Sequence, residues 1–357
     1  MVDSKVVRFL ITIMIASAGG YLFYLINFPL PWVLGSLTFV MLYQGITNKE
    51  ALLPISVRNG GFLILGLYFG LYFTKDTFTT IVPYVIPYLL LTILLILISI
   101  FLGALVSKWI HVDKMTSIFS SIPGGLSEMA IASEAMKANA ALVVIFHTVR
   151  LITVLFTIPT FLTFLFVEER QVGGIIETSG LETSIWNNLW FVIPILAALF
   201  LKNRIPAGII IGALGVTAMM NVSPIDLPSI SPFLMNAAQI AVGAGLGKNI
   251  LFRDLKVGGK YTLVYFSISI TVIIISFGMG ALLATVTSLD YQTAILGMAP
   301  GGFFEMVLTS YNIGGDPAIV SAFQLMRILL IVICVPSGLK WWFSRYGGEQ
   351  IKLSSEG

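Results

Sequence analysis

Apolar runs separated by short polar turns divide the chain into two sets of six. A helix needs about 20 residues, with about 17 as the lower limit, to cross the hydrocarbon core of a bilayer. The runs therefore predict membrane-embedded helices, and the shortest of them are marginal for a full crossing. They occupy residues 6–26, 30–46, 59–74, 81–107, 115–136 and 139–167, then 185–201, 205–221, 234–250, 261–287, 291–312 and 317–339.

A shift of 177 residues places the second set of runs on the first without a gap. Prolines, glycines and charged residues coincide, which shared apolar composition does not explain. The matches include Pro29 with Pro206, Gly35 with Gly212, Asn59 with Asn236, Asp113 with Asp290, Thr116 with Thr293, and Arg150 with Arg327. The sequence thus predicts an internal duplication, with a first membrane repeat over 1–167, an acidic linker over 168–184, a second membrane repeat over 185–345, and a tail over 346–357.

One apolar run in each set contains a helix breaker followed by a carboxylate. Residues 123–128 read Pro-Gly-Gly-Leu-Ser-Glu, and residues 300–305 read Pro-Gly-Gly-Phe-Phe-Glu. Proline lacks an N–H and glycine tolerates most backbone angles, so a helix should stop here and leave main-chain polar groups free. Inside a bilayer such groups are tolerated only beside protein or water. Each interrupted run is therefore predicted to line a polar site in the membrane.

Composition agrees with the apolar runs. The chain is 57% hydrophobic and 10% charged, whereas ordinary soluble domains contain about 25% charged residues. This is the composition of an integral membrane protein with no run left for a sizeable soluble domain. Lys5 and Arg8 precede an apolar stretch that ends in Ala16-Ser17-Ala18, as in a signal peptide, but the many following runs favour an uncleaved first helix. The single cysteine, Cys334, excludes an internal disulfide and a cysteine-based metal site.

The positions of the basic residues predict the topology, because cytoplasmic loops are enriched in lysine and arginine. If the interrupted runs dip into the membrane and return, each half crosses five times. With a cytoplasmic N-terminus, Lys75 and Arg170 are then the only lysine or arginine residues of the loops and termini on the exterior side of the membrane. Six crossings per half would move the basic clusters at 202–204 and 248–260 to the exterior. The prediction is an all-α polytopic membrane protein of two inverted-topology repeats of five spans, each with a re-entrant or broken Pro-Gly-Gly segment and with both termini cytoplasmic. That architecture is typical of secondary transporters.

Two arginines are predicted to lie deep in the membrane. Arg150 is about 11 residues into the run that begins at Asn139, roughly half-way across at about 1.5 Å per residue, and Arg327 holds the equivalent place. An arginine at that depth must face a partner or water. The nearest candidates are Glu128 and Glu305. The arginines either brace the broken segments as ion pairs or, with the positive ends of the broken helices, receive an anionic substrate group.

The residues three positions before the arginines differ between the halves, His147 in the first and Gln324 in the second. This spacing places each on the face of its arginine. His147 either carries a coupling proton near neutral pH or is a neutral, hydrogen-bonded histidine. Ser127 is replaced by Phe304 in the second half, so the first breaker is the more polar, which favours a substrate nearer the first repeat. The predicted substrate- or ion-binding residues are Pro123, Gly124, Gly125, Ser127, Glu128, His147, Arg150, Pro300, Gly301, Gly302, Glu305, Gln324 and Arg327.

Asn59 and Asn236 lie just inside equivalent runs. They are either helix caps or site ligands, and capping is favoured. No catalytic residue, metal ligand or cofactor is predicted.

The paired Pro-Gly-Gly-x-x-Glu-Met motifs, the arginines at 150 and 327 and the half-length duplication together resemble the AbrB family of bacterial inner-membrane proteins. The likeness covers nearly the whole chain. It implies a multi-pass location in the bacterial inner membrane and a fold similar to that of cation–proton antiporters and anion symporters. Members of the family carry labels such as regulator of gene expression or ammonia monooxygenase.

Chemistry weighs against the monooxygenase label. A copper or iron site wants imidazole or mixed carboxylate ligands, and the only histidines, His111 and His147, lie in different segments. The basic residues are scattered over short loops, which disfavours direct nucleic-acid binding. We expect a secondary transporter that moves a small anionic organic solute, a carboxylate or amino acid, coupled to H⁺ or Na⁺. The alternative is a membrane regulator that senses a solute and affects gene expression indirectly. Expected partners are the solute and the lipid bilayer, and a homo-oligomer is compatible with the sequence.

Overall fold

The computed structural model describes residues 5–110, 112–136, 138–166, 185–205, 207–223, 225, 227–251 and 258–346. At residues 126–128, 185–187, 336, 337 and 339–346 the description covers the main chain alone. The described residues form helices joined by turns. They are α1 (Lys5–Leu25), α2 (Pro31–Thr47), α3 (Ile55–Gly70), α4 (Lys75–Val106), α5 (Lys114–Ser121), α6 (Leu126–Ala135), α7 (Ala140–Leu165), a 3₁₀ helix (Ile185–Phe191), α8 (Val192–Leu201), α9 (Gly208–Val222), α10 (Pro232–Lys248), α11 (Lys260–Val286), α12 (Tyr291–Met298), α13 (Phe303–Ile313) and α14 (Pro317–Tyr346).

Five helices in the described part of the chain are long and apolar enough to cross a membrane, which fits a multi-pass membrane protein. They are α1, α4, α7, α11 and residues Pro317–Val335 of α14. The other five predicted crossings coincide with shorter helices. Of these, α2 and α10 have 17 residues each and α3 has 16, close to the lower limit for a span of about 17. The number of crossings therefore stays a prediction.

Both interrupted runs break where the Pro-Gly-Gly segments predict. Helix α5 ends at Ser121 and α12 ends at Met298, and Gly125 and Gly302 precede the helices that follow. These two glycines have ordinary extended backbone, with φ of −69° and −71°. What Gly302 requires is space, because a methyl group built there would lie 2.0 Å from the Oε2 atom of Glu305. A larger residue at Gly302 would therefore have to displace the Glu305 carboxylate, whereas the backbone angles of the two glycines are ones that any residue adopts.

The helices form two bundles, and each half of the chain contributes the same elements to both. The first bundle contains α1, α2 and α3 with α8, α9 and α10, and the second contains α4–α7 with α11–α14. The most extensive helix contact between the bundles joins α3 to α14. Phe62 of α3 also stacks on Phe304 of α13, with ring centroids 5.0 Å apart.

Two matched aromatic stacks lock the halves together inside the second bundle. Tyr88 of α4 stacks on Phe323 of α14 at 4.1 Å between ring centroids, and Tyr265 of α11 stacks on Phe146 of α7 at 3.8 Å. The two pairs are related by the same shift of 177 residues, with the partners exchanged between halves. The duplication read from the sequence therefore extends to tertiary contacts. The opposite orientation of the halves in a membrane stays a prediction.

Candidate functional site

The two Pro-Gly-Gly segments meet at a central cavity of about 200 Å³. Most of the predicted binding residues line it, although the two groups lie 177 residues apart in the chain. From the first half these are Pro123, Gly124, Gly125, His147 and Arg150, and from the second half Pro300, Gly301, Gly302 and Arg327. The remaining walls are largely apolar, with side chains such as Leu151, Val154 and Ile331.

Arg150 binds the main chain of its own broken segment. Its Nη1 donates to the carbonyl oxygen of Ile122 and its Nη2 donates to that of Gly124, the latter at 2.6 Å. These carbonyls stand at and just beyond the end of α5, where a terminated helix leaves its last C=O groups without partners. A cation there also complements the negative end of the helix dipole. Arg150 therefore braces the break.

Arg327 repeats the arrangement in the second half and adds one bond. It donates from Nη1 to the carbonyl oxygen of Ala299 and from Nη2 to that of Gly301, at 3.1 Å for the second. Its Nη2 also donates to the Oε1 of Gln324. Ala299 and Gly301 are the equivalents of Ile122 and Gly124. In both halves, therefore, an arginine donates hydrogen bonds to the same two carbonyl groups of the break.

The expected ion pair between Glu305 and Arg327 is not formed. The acceptors of Arg327 are two carbonyl oxygens and an amide oxygen, and none is a carboxylate. Glu305 is 5% exposed, and its carboxylate turns back toward Gly302. The physical reason is that the broken main chain supplies two carbonyl acceptors within hydrogen-bond distance of the guanidinium, and the Gln324 amide supplies a third. The side chains of Ser127 and Glu128 are not among the described ones, so the Glu128–Arg150 pair remains a prediction.

His147 and Gln324 lie beside their arginines and are both buried. The Nε2 of His147 is 2.9 Å from the carbonyl oxygen of Phe119. A carbonyl oxygen only accepts, so this hydrogen bond assigns the proton to Nε2. The Nδ1 of the neutral ring is then a lone-pair acceptor, and it has no hydrogen-bond partner. The side chain of Gln324, in contrast, donates to the carbonyl oxygen of Leu296 at 2.8 Å and accepts from Arg327.

The central cavity combines several groups that attract negative charge. A guanidinium has five N–H donors, and Arg150 uses two nitrogen atoms for its carbonyl bonds. Gly125 and Gly302, the N-cap residues of α6 and α13, line the cavity, so the partly positive N-termini of both helices lie at the same volume. Among the described lining residues there is no carboxylate to neutralise the two arginines.

A larger cavity, of about 630 Å³, was not predicted from the sequence. Its carboxamide side chains are Asn27, Asn221, Asn236, Gln239 and Asn312. The one available signal was Asn236, for which capping was favoured over a ligand role. That expectation is wrong for both asparagines, since Pro54 occupies the N-cap position of α3 and Ser231 occupies and caps that of α10. Asn59 and Asn236 lie inside their helices.

The five long apolar helices fit a multi-pass membrane protein, and two broken segments share an arginine-lined cavity. The chain belongs to the AbrB family, since the family described as "Transition state regulatory protein AbrB" matches residues 32–343. It is similar to the "Uncharacterized protein YhjN" of Bacillus subtilis (strain 168), with 25% identity over 99% of this chain and 98% of the relative. It is also similar to the "Putative regulator AbrB" of Escherichia coli (strain K12), with 24% identity over 88% of this chain and 90% of the relative. No solved structure matches the chain at a significant level.

Proposed function

We propose that this protein is a secondary transporter that moves a small anionic organic solute, a carboxylate or amino acid, across the bacterial inner membrane. One observation carries the proposal. Both broken segments converge on one cavity that holds Arg150 and Arg327, and no carboxylate occurs among its described lining residues. A buried positive charge is costly without a counter-charge, so an anion is the ligand that such a lining favours.

The proposal includes two inverted repeats of five spans with both termini in the cytoplasm. In transporters of that design the substrate site lies near the midplane, at the interface of the repeats, and the N-termini of broken helices point at anionic groups. The central cavity has walls from both halves and two such N-termini, which supports this arrangement.

The unpaired Nδ1 atom of His147 favours coupling to H⁺ over coupling to Na⁺. Its Nδ1 can accept a proton without breaking the existing bond from Nε2 to Phe119. A sodium site would instead need several oxygen ligands, whereas the carbonyl oxygens of Ile122 and Gly124 already accept from Arg150.

Flux measured in sealed proteoliposomes tests the proposal. Labelled succinate, lactate and glutamate would be offered under an imposed pH or sodium gradient. We expect saturable uptake of at least one of them, reduced tenfold or more in Arg150→Ala. The matched control is Arg58→Ala, because Arg58 is a partly buried arginine of α3 that lines neither cavity. Folded protein that moves none of these anions under either gradient would contradict the proposal.

The name of the E. coli relative, "Putative regulator AbrB", favours a second candidate, a membrane regulator that senses a solute without moving it. Under that alternative the central cavity binds the same anion, and no uptake into the proteoliposomes is measured. Equilibrium binding of a carboxylate that Arg150→Ala abolishes, together with no uptake into sealed vesicles, would favour the regulator.

A further inference from the structure

We propose that the larger cavity is a second ligand site, which binds an uncharged solute carrying neighbouring hydroxyl or amide groups. The inference goes beyond the proposed function, because the two cavities share no lining residue. The volume of about 630 Å³ lies inside the range of about 300–1,000 Å³ that is usual for small-molecule sites.

The walls of the larger cavity come from both helix bundles. The first bundle contributes the turn between α1 and α2 and the start of α10, and the second contributes Thr163 of α7 and the end of α13. A solute bound there therefore contacts both bundles at once. The principal helix contact between the bundles elsewhere is that of α3 with α14.

Gln239 is the residue that points to a ligand. It is 8% exposed, its carboxamide makes no hydrogen bond within the described structure, and its polar atoms are open to the cavity rather than fully buried. Gln44 is similarly buried at 6% exposure, yet its Nε2 donates to the carbonyl oxygen of Gly247 and its Oε1 accepts from the main chain of Ala51. The difference between the two glutamines is that Gln239 faces a cavity.

Three further carboxamides in the cavity have no hydrogen-bond partner in the described structure. Asn236 is three residues before Gln239, on the same face of α10, and Asn27 and Asn312 stand on other walls. Asn221 is different, because its Nδ2 donates to two carbonyl oxygens after the end of α3, at 2.9 and 3.0 Å. Four carboxamides are thus available to an occupant, and one is used for structure.

This lining determines the class of ligand. A carboxamide offers donors and an acceptor without charge, which matches neighbouring hydroxyl groups or an amide. None of the described lining residues carries a charge, so a charged solute would be desolvated there without compensation. Tyr24 and Trp32 stack with ring centroids 5.8 Å apart at the cavity wall, and such rings supply an apolar face beside polar groups.

Equilibrium dialysis of the purified full chain with labelled probes tests the inference. Sucrose represents hydroxyl groups, N-acetylalanine amide represents amides, and succinate is the charged comparison. We expect one of the two neutral probes to bind saturably, and its identity then distinguishes the two chemistries. The dissociation constant should rise tenfold or more in Gln239→Leu and in Asn236→Leu. It should be unchanged in Asn59→Leu, the equivalent of Asn236 in the first half, which lines neither cavity.

Several results would overturn the inference. They are no saturable binding of either neutral probe to protein with a cooperative melting curve, an unchanged affinity in Asn236→Leu, and binding of succinate that Gln239→Leu abolishes. Asn312→Leu keeps the test decisive if a variant of α10 does not fold. Arg150→Ala should leave the affinity for the neutral probe unchanged, which separates this site from the central cavity.

Discussion

The two broken segments hold their arginines alike but satisfy the neighbouring residue differently. Gln324 donates to Leu296 and accepts from Arg327, so both ends of its side chain are paired. His147 donates to Phe119 and leaves its Nδ1 without a partner. In the second segment the residue beside the arginine has a partner for its donor and its acceptor, whereas in the first segment one ring nitrogen has none.

The difference indicates that the two halves of a duplicated protein can have separate roles. An unpaired buried polar atom costs about 1–3 kcal/mol. The unpaired Nδ1 of His147 therefore lowers the free energy of unfolding. Arg327 is 3% exposed, whereas Arg150 is only partly buried. We infer that the second segment mainly supports the cavity and that the first mainly meets the ligand.

The largest expected effect is a difference between Arg327→Ala and Arg150→Ala in how much each lowers the free energy of unfolding. Arg327→Ala removes the donors to Ala299, Gly301 and Gln324, and hydrogen bonds to charged groups are worth about 1.5–3 kcal/mol each. We expect a loss of about 3–5 kcal/mol in the free energy of unfolding. Arg150→Ala removes only two such bonds from a side chain that is less buried than Arg327, and should lose about 2 kcal/mol. Thermal or denaturant unfolding of the purified proteins measures both.

The comparison fails if Arg150→Ala is the more destabilising of the two. Arg58→Ala serves again as the control, because Arg58 donates to none of these carbonyls. Its loss should be smaller than that of either cavity arginine.

The breaks, the repeat and the apolar helices could be predicted from the sequence, whereas the arrangement of the bundles could not. Proline and glycine dictate where α5 and α12 end, and periodic apolar runs dictate the long helices. Which helices share a bundle depends on side-chain fit between distant segments, such as Tyr88 on Phe323. The order of the runs contains no comparable signal.

The candidate site was predicted as a set of residues but not as a set of bonds. Matching charge to charge assigned Glu305 to Arg327, whereas the acceptors are mainly carbonyl oxygens of the broken main chain. Every residue has a main-chain carbonyl group, so the sequence does not indicate which carbonyl accepts a hydrogen bond from an arginine. The larger cavity was missed for a related reason, because Asn27, Gln239 and Asn312 belong to separate elements and form no motif.

A smaller effect is expected from exchanging the residues that differ between the segments. His147→Gln places in the first half the amide that the second half uses, so Oε1 can accept from Arg150 and no buried atom is left unpaired. We expect a gain of about 1 kcal/mol in stability, with loss of any dependence of flux on the pH gradient. Gln324→His is the reciprocal variant and should lose a similar amount. A less stable His147→Gln protein that keeps proton-coupled flux would show that the unpaired Nδ1 atom has no role.

The smallest expected effect concerns Asp316 and its equivalent, Asn139, which precede α14 and α7. The main-chain N–H of each donates to a threonine hydroxyl, and each side-chain oxygen caps its helix. Burial is the main cause that raises the pKa of the Asp316 carboxyl, the charge of Asp290 adds to it, and hydrogen bonds from main-chain N–H groups oppose it. The equivalent asparagine has no charge to desolvate.

The sign of the pH effect follows from linkage. A carboxyl whose pKa is higher in the folded state contributes stability fully below its unfolded pKa of about 3.9, and that contribution is lost as pH rises through the folded pKa. Asp316→Asn should therefore be more stable than the wild type at pH 7, by about 0.5 kcal/mol or less, and the gain should vanish near pH 4. Melting temperatures across pH 4–8 measure it, with Asn139→Asp as the reciprocal variant. If Asp316→Asn is instead the less stable protein at pH 7, the charge at the start of α14 is worth more to the helix N-terminus than burial costs.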